Sequence, residues 1–178
     1  TTFAANTATH ADGATFALDV ENNMAAIPIF TNAVNATATT SNDVTINLYD
    51  SITTNATVTH TGVGLTLTDV QTLNLGLGAF TLDNGTGNIT GADLETVVVT
   101  GSGNFDMNGT TIVGDATNRV VLNASALEGS VTLMTLDGSA NSVNTVSSGA
   151  GTDTFTINGI AGSAGGFDLD LGAAADTV

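Results

Sequence analysis

Two segments of this chain, "TDVQTLNL" (68–75) and "ADLETVVV" (92–99), align without a gap, 24 residues apart. Asp69 falls on Asp93, Thr72 on Thr96, and the apolar positions coincide. A unit of this length cannot bury its own apolar face. It becomes stable only by stacking on copies of itself, so a fixed period is the strongest constraint on the fold. "SALEGSVTL" (125–133) is a looser copy that sets Leu127 and Glu128 over Leu94 and Glu95. Further on, "GAGTDTF" (149–155) is echoed by "GAAADTV" (172–178) after 23 residues.

The repeated unit is made of strands. "DVTINLYD", "GLTLTD", "QTLNLGL", "ETVVVTG", "RVVLNAS", "DTFTING" and "FDLDLG" mostly alternate apolar residues with Thr, Asn or Asp, and each is bounded by Gly, Asn or Asp. Alternation with period two is the mark of a half-buried strand, and β-branched Thr and Val favour it. Helical periodicity is almost absent. Asn84–Gly85, Asn108–Gly109 and Asn158–Gly159 supply turns that need positive φ. The expectation is an all-β parallel β-solenoid of the β-helix or β-roll kind, with Leu, Val, Ile and Phe stacked inside. An antiparallel β-sandwich is the alternative, since strands at this spacing also build sandwiches. Residues 1–40 carry no copy of the pattern, hold the only proline, Pro28, and contain the apolar run Ala25–Phe30. They read as a cap or assembly segment ahead of a repeat region over 41–178, because a solenoid needs an atypical end.

Charge narrows the partners. Seventeen acidic residues face one basic residue, Arg119, for a net charge of −16. Nucleic acid and anionic membrane surfaces are excluded as partners, because both are held by Lys and Arg. Cations are the natural ligands of such a chain. It is not a disordered acidic tail, since 42% of its residues are hydrophobic. With no cysteine there is no disulfide or thiolate metal site. No stretch reaches the roughly 18 apolar residues of a membrane span.

Catalytic patterns are missing. There is no G-x-S-x-G, no P-loop lysine and no H-E-x-x-H. His10 and His60 stand alone, and one arginine is too few for a polysaccharide lyase. The chain reads as a non-enzyme.

The chemistry that remains is oxygen donation to a hard cation. In "SGAGTDTFT" (148–156), Gly149 and Gly151 permit a sharp turn that presents carbonyls, Asp153 offers a carboxylate, and Phe155 anchors the following strand. Gly172 and Asp176 repeat the arrangement one unit later, with Ala174 in place of the second glycine, and Asn141 takes the acidic position one unit earlier. Between the copies, "FDLDLG" puts Asp168 and Asp170 on the strand face opposite Phe167, Leu169 and Leu171. The same residues also make an ordinary Gly-rich turn and a solvated strand face. Asp69, Asp93 and Glu95 sit just before strands and read as corner-capping groups.

The C-terminal third resembles the RTX β-roll, whose nonapeptide is G-G-x-G-x-D-x-U-x, with Ser148 standing at the first glycine. The segments "GVGLTLTDVQTLNL" and "GADLETVVVTGSG" resemble the Thr/Ala/Gly-rich repeats of calcium-dependent surface-layer proteins of the Caulobacter type. The likeness covers residues 40–178. It implies an extracellular structural protein exported by type I secretion, ordered by Ca2+ and self-assembled into a surface layer or filament, with a cell-surface glycan as its anchor. It also implies that Gly149, Gly151, Asp153, Asp168, Asp170 and Asp176 belong to the calcium sites. The runner-up is the repeat or binding module of an RTX adhesin or secreted enzyme. The double glycine is incomplete in every copy and no tandem run of nonapeptides is present, both departures from the RTX pattern.

Overall fold

A computed structural model describes residues 7–10, 12–19, 29–32, 42–50, 57–59, 65–83, 87–108, 110–114, 119–136, 143–157 and 167–178. The strands in chain order are β1 (Thr7–His10), β2 (Ala14–Asp19), β3 (Ile29–Asn32), β4 (Asp43–Tyr49), β5 (Thr57–Thr59) and β6 (Leu65–Thr68). They continue with β7 (Thr72–Leu77), β8 (Thr81–Asp83), β9 (Ile89–Gly91), β10 (Thr96–Gly101), β11 (Asn104–Met107) and β12 (Ile112–Val113). The last are β13 (Val120–Leu127), β14 (Val131–Leu136), β15 (Val143–Ser147), β16 (Thr154–Ile157) and β17 (Asp168–Asp170).

Every pairing between these strands is parallel. They form three sheets: A, ordered β1-β3-β6-β9-β12; B, ordered β2-β4-β7-β10-β13-β15-β17; and C, ordered β5-β8-β11-β14-β16. From β3 to β14 the chain visits A, B and C in turn and rises by one strand each round; among the described residues β2 leads to β3 without a sheet C strand, and β14 to β17 alternate between C and B. This is a three-sided parallel β-solenoid, and it rules out the sandwich, whose hairpins require antiparallel neighbours. The 24-residue offset is the coil itself: Thr72 pairs directly with Thr96, and the register holds through Leu77 and Gly101.

Period-two alternation sends one set of side chains inward. In β7, Leu73, Leu75 and Leu77 are buried while Thr72, Asn74 and Gly76 are only partly so. Coil stacking turns each inward position into a row, and Val44, Leu73, Val97 and Leu122 form one of them in sheet B. These rows merge into a single core running the length of the stack. At the top, Phe167, Leu169 and Leu171 are only partly buried against it.

The described parts of residues 1–40 belong to the same sheets. β2 pairs with β4 from Ala14–Val44 to Asp19–Tyr49, and β1 pairs with β3, which in turn pairs with β6. Residues 25–28 of the apolar run lie outside the described residues.

The corner between sheets B and C fixes the next step. Here Gly103 lies over Gly78 and Phe80, Gly129 over Gly103, and Gly151 over Gly129, so closely that a Cβ on any of them would drive into the backbone below. Gly101, at φ +112°, does the same over Leu77. Glycine is required because the coils touch backbone to backbone.

Candidate metal centre

One inward row of sheet C changes character as it climbs. Leu82 pairs with Phe105 and Phe105 with Val131, and all three are buried apolar side chains. Thr132 pairs with Thr154, which places Asp153 directly above Val131. The Thr154–Thr177 bridge then places Asp176 above Asp153. Two carboxylates therefore end a row that begins as hydrophobic core, at the ~4.8 Å spacing of adjacent strands.

Asp153 is 0% exposed. Its Oδ1 accepts the Val131 N–H at 2.7 Å, and its own N–H donates to Asp176 Oδ1 at 2.9 Å. Its Oδ2 is buried and has no hydrogen-bond partner. Buried polar atoms are almost always paired, and a carboxylate withdrawn from water needs compensation on both oxygens. A hard cation would supply it, and this chain has no lysine and a single arginine with which to do so internally.

The six expected ligand residues do not converge. Asp153 and Asp176 meet on the inner face of sheet C. Asp168 and Asp170 lie on the outer face of sheet B and are exposed. They cap two rows there that are polar except for one valine each, Asp43–Thr72–Thr96–Val121–Thr145–Asp168 and Thr15–Thr45–Asn74–Val98–Asn123–Ser147–Asp170. Asp170 spends its carboxylate on the Gly172 N–H at 3.3 Å. Gly149 and Gly151 are in the corner between these faces, and each presses on the backbone of the coil below, Gly149 on Leu127 and Gly151 on Gly129. Gly129 and Gly103 do the same without any nonapeptide around them, so the glycine signature reports coil contact first. Among the described residues, no three His, Cys, Asp or Glu side chains gather where they could hold a metal. A cation at Asp153 must therefore draw on carbonyl or hydroxyl oxygens as well, as calcium sites do. Asn141 and His60 lie outside the described residues.

Asp153 also belongs to a wider set that the sequence pattern does not single out. Side-chain oxygens across the molecule accept backbone N–H groups from neighbouring coils. Asp12 accepts from Asp43, Gln71 from Asn42, Asn88 from Thr111, and Asn104 from Ser130. Asn104 also donates to Thr81 Oγ1 at 3.0 Å, so it ties three coils together. These groups satisfy donors that the corners leave unpaired. Asp69 holds a corner differently, through its own positive φ of 56°, which aspartate tolerates better than most residues. Within the set, Asp153 is distinguished by its burial and by the oxygen left over after capping.

No protein-family model, curated protein or solved structure matches this chain.

Proposed function

We propose that this chain is a structural building block of an extracellular surface layer or filament, a β-solenoid ordered by calcium and assembled by self-association. The observation that carries the reading is the end of the sheet C row: two stacked carboxylates, the lower one fully buried with Oδ2 unpartnered. Without a cation the upper coils hold an uncompensated charge against the core. With one, the charge is neutralised and the coils lock. Calcium-poor cytoplasm keeps the upper coils loose, and export to calcium-rich surroundings closes them. Solenoid ends present open strand edges, which join subunits by strand addition.

The test is to add calcium to the purified chain and follow assembly by electron microscopy and folding by thermal melt. Ordered sheets or filaments, with a melting temperature that rises with calcium, are expected. At a hundredfold excess over Kd, mass action contributes ~2.7 kcal/mol. A melting temperature and an assembly state indifferent to both calcium and chelator would remove the reading.

A second reading rests on sheet B. Strands β7, β10, β13 and β15 contain no charged residue, although the chain carries −16. Such an uncharged, Thr- and Asn-bearing face suits a repeat or binding module that lies against a neutral surface. A chain that binds calcium yet stays monomeric would favour it.

A further inference from the structure

Asp153 Oδ2 is not the only bare oxygen in its coil. Ser148 is 4% exposed, and its Oγ is likewise buried with no hydrogen-bond partner. Ser147 pairs with Asn123 below and Asp170 above, so Ser148 continues the inward row of Ala124 and lies under Leu171. Ser148 therefore faces inward just after β15, and Asp153 faces inward just before β16. Only the corner 149–152 separates them.

One row contributes no large side chain to that corner. The position that follows the sheet B row at the corner is Leu77, then Gly101, then Leu127, then Gly149, then Gly172, each seated on the one before. Leu77 and Leu127 fill the inside of their own coils, and both are buried. Above Leu127 two glycines follow in succession, so no side chain on this row enters the space between Ser148 and Asp153. A hydroxyl and a carboxylate oxygen, both dry and both unpaired, flank a corner where glycine stands in place of the filling leucine. Asn42 is also buried with both side-chain polar atoms unpaired, but it is a neutral amide at the A–B corner.

We infer that Ser148 Oγ is a ligand of the cation held by Asp153, and that the ion sits on the inner side of the corner 148–153. This rests on the calcium reading above and sharpens it. It adds a residue that the nonapeptide pattern treats as a defect, since serine occupies a glycine position. It also excludes Asp168 and Asp170, which face outward from sheet B. Hydroxyl and carboxylate oxygens are the donors that a hard cation takes, and backbone carbonyls of the turn complete its shell.

The experiment compares Ser148→Ala, Ser148→Gly and Asp153→Asn in the full chain. It measures calcium affinity by calorimetry and melting temperature in calcium and in chelator. The two serine variants remove the hydroxyl without adding bulk, and Ser148→Gly also restores the glycine of the nonapeptide. In chelator, Ser148→Ala should raise the melting temperature, because an unpaired buried hydroxyl is replaced by an apolar group. In calcium the same change should lower affinity by roughly tenfold or more, the scale on which metal sites respond to a lost supporting group. A purely structural serine would shift both melting temperatures alike. Unchanged affinity in either serine variant, with affinity lost in Asp153→Asn, would overturn the inner site and leave calcium binding at Asp153 standing. Unchanged affinity in Asp153→Asn would remove the calcium reading and this inference together.

Discussion

The lower and upper halves of one row in sheet C share their register and differ in chemistry. Below stand Leu82, Phe105 and Val131; above stand Asp153 and Asp176. The lower half is held by the hydrophobic effect, which is always present in water. The upper half is held by hydrogen bonds from the Val131 N–H to Asp153 and from the Asp153 N–H to Asp176, and by whatever compensates the leftover oxygen. On the proposed calcium reading, a single architecture carries an unconditional region and a conditional one. The boundary falls between Val131 and Asp153.

The largest effect is expected from moving that boundary down. Val131→Asp would set a third carboxylate in the row, deep in the core and without an inward partner. A buried unpaired charge ranks among the most damaging of single changes, so a loss of about 4 kcal/mol or more is expected, with little recovery in calcium. Denaturant unfolding would measure it. A mild loss, or full rescue by calcium, would show that the lower coils can also host an ion and that the boundary is not fixed by the core.

Next in size is a test of what the glycines do. Gly129→Ala and Gly151→Ala each push a methyl group into the backbone of the coil below. Gly129 has no nonapeptide around it and Gly151 does. If coil contact is the reason for both, each should cost roughly 1–3 kcal/mol, the usual scale of overpacking, whether calcium is present or chelated. A Gly151→Ala variant damaged only in calcium would return that glycine to the ion.

Much of this is legible in the sequence, and for a physical reason. Parallel coils keep register, so a sequence offset is also a spatial neighbour, and the repeat alone is enough to pair Thr72 with Thr96. The opposite faces of Asp168 and Leu169 follow from period two. The same rule applied to "TDTF" places Asp153 on the face of Phe155, which is the core face. Treating the stretch as a turn hides that consequence, and "VSS" hides Ser148 in the same way behind Val146. The capping set is beyond reach. Whether Asn104 or Gln71 meets an N–H depends on which corner lies beside it. Those hydrogen bonds link residues 26 and 29 apart, while those of Asp153 and Asp176 span 22 and 23. Corners of unequal length defeat a fixed period.

A smaller effect should come from Asp153→Leu, which carries the lower half's chemistry up by one coil. It removes the cap on the Val131 N–H, at a cost of about 1 kcal/mol, and gains apolar burial of similar or larger size. In chelator the unpaired carboxylate oxygen is removed as well, so the gain should exceed the loss and the melting temperature should rise. The calcium-dependent increment should vanish. A variant that still gained stability from calcium would place the ion elsewhere.

The smallest effect is expected from Asp168→Asn with Asp170→Asn. These residues share the upper coils with Asp153 and Asp176 and carry the same functional group, yet they face outward from β17 into solvent. Exposed carboxylates keep their hydration, so they need no counter-ion and offer little when one arrives. Asp170 Oδ1 accepts the Gly172 N–H, and an asparagine side-chain oxygen can accept it equally well. The double variant should therefore change stability by no more than ~0.5 kcal/mol and leave the calcium-dependent melting shift intact. If that shift falls as far as it does in Asp153→Asn, the outer face of sheet B takes part in holding the ion. The contrast between inward and outward carboxylates would then no longer account for where calcium acts.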